Sequence, residues 1–190
     1  MFSKEKLLAI VFLLIISIFI HCNVQDKNNS RMKLFDLNWK FNYGNNILAS
    51  NVDFNDQNWR SIDLPHDWSK DEVLSRTIEN QPDSILTEIG WYRKNFEIPQ
   101  NWLDKSILID FEGICDHSEI FVNGKSIFNS QKGNSSFQAV LNPYLNSEGN
   151  NVIAIRVAIP KQTDVNLPAE TGIYKHVWLV IKDSSDLRNK

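Results

Sequence analysis

The chain has 190 residues, 42% hydrophobic and 23% charged. That suffices for one globular domain with an appendage and is too little for a sandwich plus an enzyme barrel, since a (β/α)₈ barrel alone takes about 250 residues. A net charge of −3 without any basic block excludes nucleic acid as a partner, because phosphates call for clustered Lys and Arg. Two cysteines, Cys22 and Cys115, cannot build a disulfide framework, and His66, His117 and His176 are scattered singly, so no metal or cofactor is expected.

Lys4 and Lys6 precede Leu7–Ile20, fourteen residues without a charge, and His21-Cys22 follow. A positive start and an apolar run shorter than the roughly 20 residues that span a bilayer are the form of an export signal. Cys22 directly after the run predicts a bacterial lipoprotein lipidated at that residue, held to the membrane by its N-terminal segment. Phe19 and His21 stand where a branched aliphatic and a small residue are usual, so an uncleaved anchor or an ordinary signal stays open. The expected location is the periplasm or the membrane surface after export. Residues 1–22 are therefore read as the signal and the polar 23–32 as a tether.

The folded part is expected over 33–183. Phe35, Leu37, Trp39, Phe41 and Tyr43 recur at every second position, which predicts one strand over Leu34–Tyr43. Residues 51–68 mix Phe54, Trp59, Ile62 and Leu64 with turn-forming Asn and Asp, and Pro65 confines any strand there to an edge or an end. Residues 69–89 have no clear period and read as a long surface loop. A strand follows over 90–98, with Tyr92, Phe96 and Ile98 on one face. Ile107, Ile109 and Phe111 alternate with Leu108, Asp110 and Glu112, and Asn123-Gly124 between two apolar runs is a strong type I′ hairpin signal. Phe137–Val140 is a further strand and Asn142-Pro143-Tyr144-Leu145 one helical turn. Val152–Ile159, apolar on both faces apart from Arg156, is expected to be a central strand. A second irregular loop spans 161–170, and Ile173–Ile181 is the last strand, with Tyr174, Trp178 and Val180 on one face. Residues 184–190 form a polar tail or the start of a linker. About eight short strands and no long helix after the signal predict an all-β fold, an antiparallel jelly-roll β-sandwich.

The chemistry-bearing residues are sparse. Asp63, Asp67, Glu88, Glu112, Asp116, Glu119 and Glu170 are available acids, but a glycosidase needs two carboxyl groups about 5 to 9.5 Å apart across one sugar ring, and nothing in the sequence singles out a pair. They read as turn caps, solvated faces or partners of Arg93, Arg156 and Lys175. His66-Asp67 reads as a loop-fixing pair, and Cys115 as a small packed side chain. Neither long loop carries an aromatic residue, so any platform for a sugar ring would come from Trp68, Trp91 or Tyr174.

Five blocks stand in order: Asp63-Leu64-Pro65-His66-Asp67-Trp68; Gly90-Trp91-Tyr92-Arg93-Lys94; Phe111-Glu112-Gly113 through Val122-Asn123-Gly124; Asn142-Pro143-Tyr144-Leu145; and Thr171-Gly172-Ile173-Tyr174-Lys175-His176-Val177-Trp178-Leu179. Over roughly 34–182 they resemble the N-terminal sugar-binding domain of glycoside hydrolase family 2, the β-galactosidase and β-glucuronidase family. The resemblance implies a galactose-binding-domain-like jelly roll that in relatives precedes an immunoglobulin-like domain and a barrel holding both catalytic glutamates. It therefore implies no catalytic residue here and no glycoside hydrolysis by this chain alone. The loop before Gly90 and Asn166-Leu167-Pro168 depart from the family where it reaches toward sugar, leaving Asn80, Asn166 and Glu170 as carbohydrate-binding candidates. The expected role is the sugar-binding piece of a truncated family member, with a β-galactoside or β-glucuronide as partner. The alternatives are a free-standing carbohydrate-binding lipoprotein and a docking scaffold for a separate catalytic polypeptide.

Overall fold

A computed structural model describes residues 31–71, 87–115, 117–130, 135–160 and 170–183. Twelve strands run in chain order: β1 (Arg31–Leu34), β2 (Trp39–Tyr43), β3 (Arg60–Ile62), β4 (His66–Asp67), β5 (Thr87–Glu97), β6 (Ser106–Ile114), β7 (Ser118–Val122), β8 (Lys125–Asn129), β9 (Ser135–Val140), β10 (Asn150–Pro160), β11 (Gly172–Ile173) and β12 (Val177–Lys182). They form a four-stranded sheet β1-β12-β6-β9, a six-stranded sheet β3-β2-β5-β10-β7-β8 and a two-stranded ribbon β11-β4. Every pairing is antiparallel. The all-β jelly-roll expectation holds.

The two larger sheets enclose one core. Trp39, Tyr92, Phe111, Ile109, Ile120, Leu141, Ile153 and Ile155 are fully buried in it, and burial of each large apolar side chain contributes about 1.5 to 3 kcal/mol. The alternation that predicted β5, β6 and β10 sends these residues inward. β10 lies between β5 and β7, the central position that its two apolar faces require. The hairpin between β7 and β8 turns at Asn123 (φ +49°) and Gly124 (φ +76°), the paired positive φ of a type I′ turn. Asn123 also ties two loops together. Its Nδ2 donates to Tyr144 O and Asn151 Oδ1, and its Oδ1 accepts from Val152 N.

Two expectations are corrected. The single strand over Leu34–Tyr43 is two strands in different sheets. Leu37 is 57% exposed and Asn38 adopts φ +61°, so the period of two continues in the letters while the backbone turns from one layer to the other. Asp36, buried at the turn, accepts Val177 N and holds His176 Nδ1 at 2.6 Å. The first of the two strands begins at Arg31, where pairing to Ile181 starts. Likewise Ile173–Ile181 is not continuous: β11 pairs with β4 and β12 with β6. Tyr174 lies between them, half-buried against Gly113, where an added Cβ would come 2.5 Å from its ring.

A second, smaller core sits on the outside of the six-stranded sheet. Ala49, Trp91, Ala154 and Ala158 are buried there, with Phe54, Trp59 and Phe121 packed against them. The covering segment, residues 46–59, is held by Arg93, an outward residue of β5 that is 1% exposed. Its guanidinium donates to the carbonyl oxygens of Ala49, Asn51, Val52 and Phe54 and pairs with Asp56 Oδ2 at 2.8 Å. The Phe54 ring lies 5.3 Å away. A buried cation is tolerable because nearly every donor has an acceptor.

Candidate functional site

The Asp63–Trp68, Gly90–Tyr92 and Thr171–Gly172 blocks, far apart in the chain, meet at one end of the sandwich. Asp63 Oδ1 accepts Asn38 N at 2.8 Å, and the Leu64–Pro65 bond is cis. The chain then runs into β4, which pairs with β11. Asp67 Oδ1 accepts from Ser69 N and Oγ and from Thr171 N and Oγ1 at 2.6 to 3.1 Å, and Lys70 Nζ lies 2.9 Å from Oδ2. Burial alone would raise its pKa, but these bonds outweigh burial and hold the carboxyl well below the usual range.

His66 is fixed on both ring nitrogens. Arg60 Nη2 lies 3.0 Å from Nε2, and Nδ1 lies 2.9 Å from Tyr92 Oη. Because guanidinium only donates, Nε2 is the acceptor and Nδ1 carries the proton. Burial, then the Arg60 charge, lowers the imidazole pKa to about 4. Tyr92, fully enclosed, has its pKa pushed well above the ordinary value, chiefly by burial. Its ring stacks on Trp68 at 6.4 Å. Gly172 has φ +86°, and a Cβ there would meet Tyr92 Oη at 2.4 Å and His66 O at 2.7 Å. Gly90 lies under Trp68, whose ring carbon would be 1.9 Å from an added Cβ. Both positions take glycine because no side chain has room.

The network therefore holds a shape. His66 and Asp67 are each engaged by structural partners, as the loop-fixing reading expected. Other acids are similarly engaged: Glu112 Oε1 accepts Trp178 Nε1, Asp110 Oδ2 accepts Gln138 Nε2, and Glu119 Oε1 accepts Asn129 Nδ2. Arg93 takes Asp56, a residue the sequence did not single out. Trp68 and Trp91 are 1% and 0% exposed, so neither offers a face to a sugar ring. Of the candidate binding residues, Glu170 is half-buried next to Thr171, where its charge reaches Lys70. Asn80 and Asn166 lie outside the described residues, as do Cys22 and Asp116. Sequence reasoning missed Arg60, Asp36 and the Tyr92 hydroxyl, because their partners stand 6 to 141 positions away. A central-strand Tyr and Arg adjacent in the chain was the one available signal.

The architecture is that of an antiparallel jelly-roll β-sandwich with a hydrogen-bonded network at one end. The family model for "Glycosyl hydrolases family 2, sugar binding domain" matches residues 32–182, and the chain belongs to that family. Similar proteins include a β-galactosidase of Bacteroides ovatus, 36% identical over 149 residues, covering 76% of this chain and 17% of the relative. A β-glucuronidase of Formosa agariphila is 29% identical, over 78% of this chain and 17% of its own length. The crystal structure of a β-glycosidase from Bacteroides vulgatus superposes with a TM-score of 0.67 at 32% identity, covering 80% of this chain and 20% of that one. The chain thus spans about a fifth or less of the length of these relatives.

Proposed function

We propose that this chain is the non-catalytic, sugar-binding part of a β-galactosidase- or β-glucuronidase-type glycoside hydrolase and that it binds carbohydrate without hydrolysing it. The observation that carries this reading is the family match over nearly the whole sandwich, together with the engagement of His66 and Asp67 by structural partners. The test is to incubate the full chain with chromogenic β-galactoside and β-glucuronide and to titrate the same sugars by calorimetry. Binding without turnover is expected. Turnover overturns the non-catalytic reading, and absence of binding overturns the carbohydrate reading. Export and lipidation at Cys22 belong to the same proposal, resting on Lys4, Lys6 and the uncharged run that ends at Ile20. Metabolic labelling with a fatty acid should mark the protein and not its Cys22→Ser variant.

A second reading, docking to a separate catalytic polypeptide, is favoured by one feature. Across the outside of the four-stranded sheet, Met32, Val180, Leu108 and Val140 stand in register as one apolar row. Strictly monomeric behaviour with no co-purifying partner argues against it.

A further inference from the structure

We infer that the hollow around Arg156, on the outer face of the six-stranded sheet, is a subsite for one uncharged terminal sugar ring, recognised through two adjacent hydroxyls. The inference rests on the carbohydrate reading above and adds a place and a specificity.

Arg156 lies on β10, with Glu119 of β7 and Trp91 of β5 as its cross-strand partners. Ile155 and Val157 on either side of it are fully buried in the main core. By the period of two, Arg156 therefore projects outward with Ala154 and Ala158. Residues 46–59 cover the part of this face that holds Trp91, Ala154 and Phe121. Beyond that cover a hollow of about 230 Å³ remains, lined by Thr87, His117, Glu119, Asn129 and Arg156, with Ala158 among the lining residues. The short Ala158 side chain leaves room that a larger residue would fill. Pockets for drug-sized ligands take about 300 to 1,000 Å³, so this one suits a single ring.

Arg156 differs from the other arginines of this sheet. Arg93 is enclosed and almost saturated, and Arg60 is shared between His66 and Asp71. Arg156 is half-buried and engages no described residue through a hydrogen bond or ion pair, although Glu119 is its neighbour across the ladder. Its fork of five donors, partly desolvated, finds no acceptor among the described residues. Glu119 stands opposite it across the ladder and lines the same hollow, its Oε1 accepting Asn129 Nδ2 at 3.2 Å, and no described residue holds its Oε2. A fork of donors next to a fixed acceptor is the complement of vicinal hydroxyls, one oxygen accepting from Arg156 and the next O–H donating to Glu119. A uronic acid ring could satisfy Arg156 with its carboxylate but would bring like charge against Glu119. No Phe, Tyr or Trp is among the described residues that line the hollow, so the stacking contribution of such a ring is left out and the expected affinity is millimolar.

The test is an NMR titration of the full chain with methyl β-galactoside and methyl β-glucuronide, on the wild type, Arg156→Gln, Glu119→Gln and the exposed hairpin control Lys125→Gln. Each variant is checked by its thermal midpoint. The expected result is galactoside-dependent shifts at the amides of Arg156, Glu119 and Asn129, with binding weakened about tenfold or more by either hollow variant, the worth of a charge-assisted hydrogen bond. Lys125→Gln should bind as the wild type does. Glucuronide should bind more weakly than galactoside and should gain when Glu119 becomes Gln. Galactoside binding that both hollow variants leave within about twofold overturns this subsite while leaving the carbohydrate reading intact. Preference for glucuronide overturns the specificity for an uncharged ring, and a wild type that binds neither sugar overturns both readings.

Discussion

The two outer faces of the sandwich are treated differently. On the six-stranded sheet, residues 46–59 lie over Trp91 and Ala154, pinned by Arg93, and a second core forms. On the four-stranded sheet the row Met32, Val180, Leu108 and Val140 belongs to neither core; Val180 and Leu108 in its middle are buried, and its ends, Met32 and Val140, are 55% and 39% exposed. The next row reads Leu34, Trp178, Asp110 and Gln138, with Trp178 bonded to Glu112 and Gln138 to Asp110. Both faces come from strands that alternate in the same way. Around the aromatic Trp91 and the Arg93 cation the cover comes from residues 46–59 of the same chain, whereas the aliphatic row keeps its two ends, Met32 and Val140, exposed.

This contrast can be broken most directly at Arg93. Arg93→Ala leaves the Asp56 carboxylate and four carbonyls without their donor, and urea unfolding should show a loss of about 3 to 5 kcal/mol. Removal of the cover's anchoring ring should cost less. Phe54→Ala, which deletes contacts with Arg93 and Trp59, should lower stability by about 2 kcal/mol. A measured change within about 0.5 kcal/mol would mean that the second core adds nothing.

Acid titration separates two histidines, neither of them on an outer face, by sign. The His66 pKa, about 4 when folded against 6.5 in the ordinary state, means the unfolded chain takes up that proton first. This contribution is complete above about pH 6.5 and is lost as pH falls toward 4, a change of about 1 to 2 kcal/mol after allowance for partial exposure. His66→Gln should flatten that limb. His176, at the start of β12, has its pKa raised by its bond to Asp36, so its contribution is present below the ordinary histidine value and is lost as pH rises through the folded one. His176→Gln should flatten the opposite limb in a pH series of thermal midpoints. The smallest effects belong to the exposed ends of the aliphatic row: Met32→Ser and Val140→Thr should each change unfolding free energy by no more than about 0.5 kcal/mol.

Much of the scaffold could be read from residue order. The Asn123-Gly124 hairpin, the doubly apolar Val152–Ile159 and the alternation of Ile107, Ile109 and Phe111 are local signals, and local signals decide strands. The break at Asn38 escaped because alternation continues through a residue that changes layer. The site was legible only as motif blocks. Why Gly90 and Gly172 stand where they do depends on Trp68 and Tyr92 closing over them. That Arg93 would serve Asp56 rather than one of the acids singled out in sequence depends on a fold-back of 37 positions.

Arg93 has a consequence for how this sequence can vary. Four of the atoms it grips are main-chain carbonyl oxygens, at positions 49, 51, 52 and 54, and every amino acid supplies one. The grip reads the path of the segment and hardly its spelling. Most letters between 46 and 59 are thus free to drift or be redesigned, provided that a small residue at 49, aromatics at 54 and 59 and an acid at 56 remain. The module can renew the surface of that loop without loosening it.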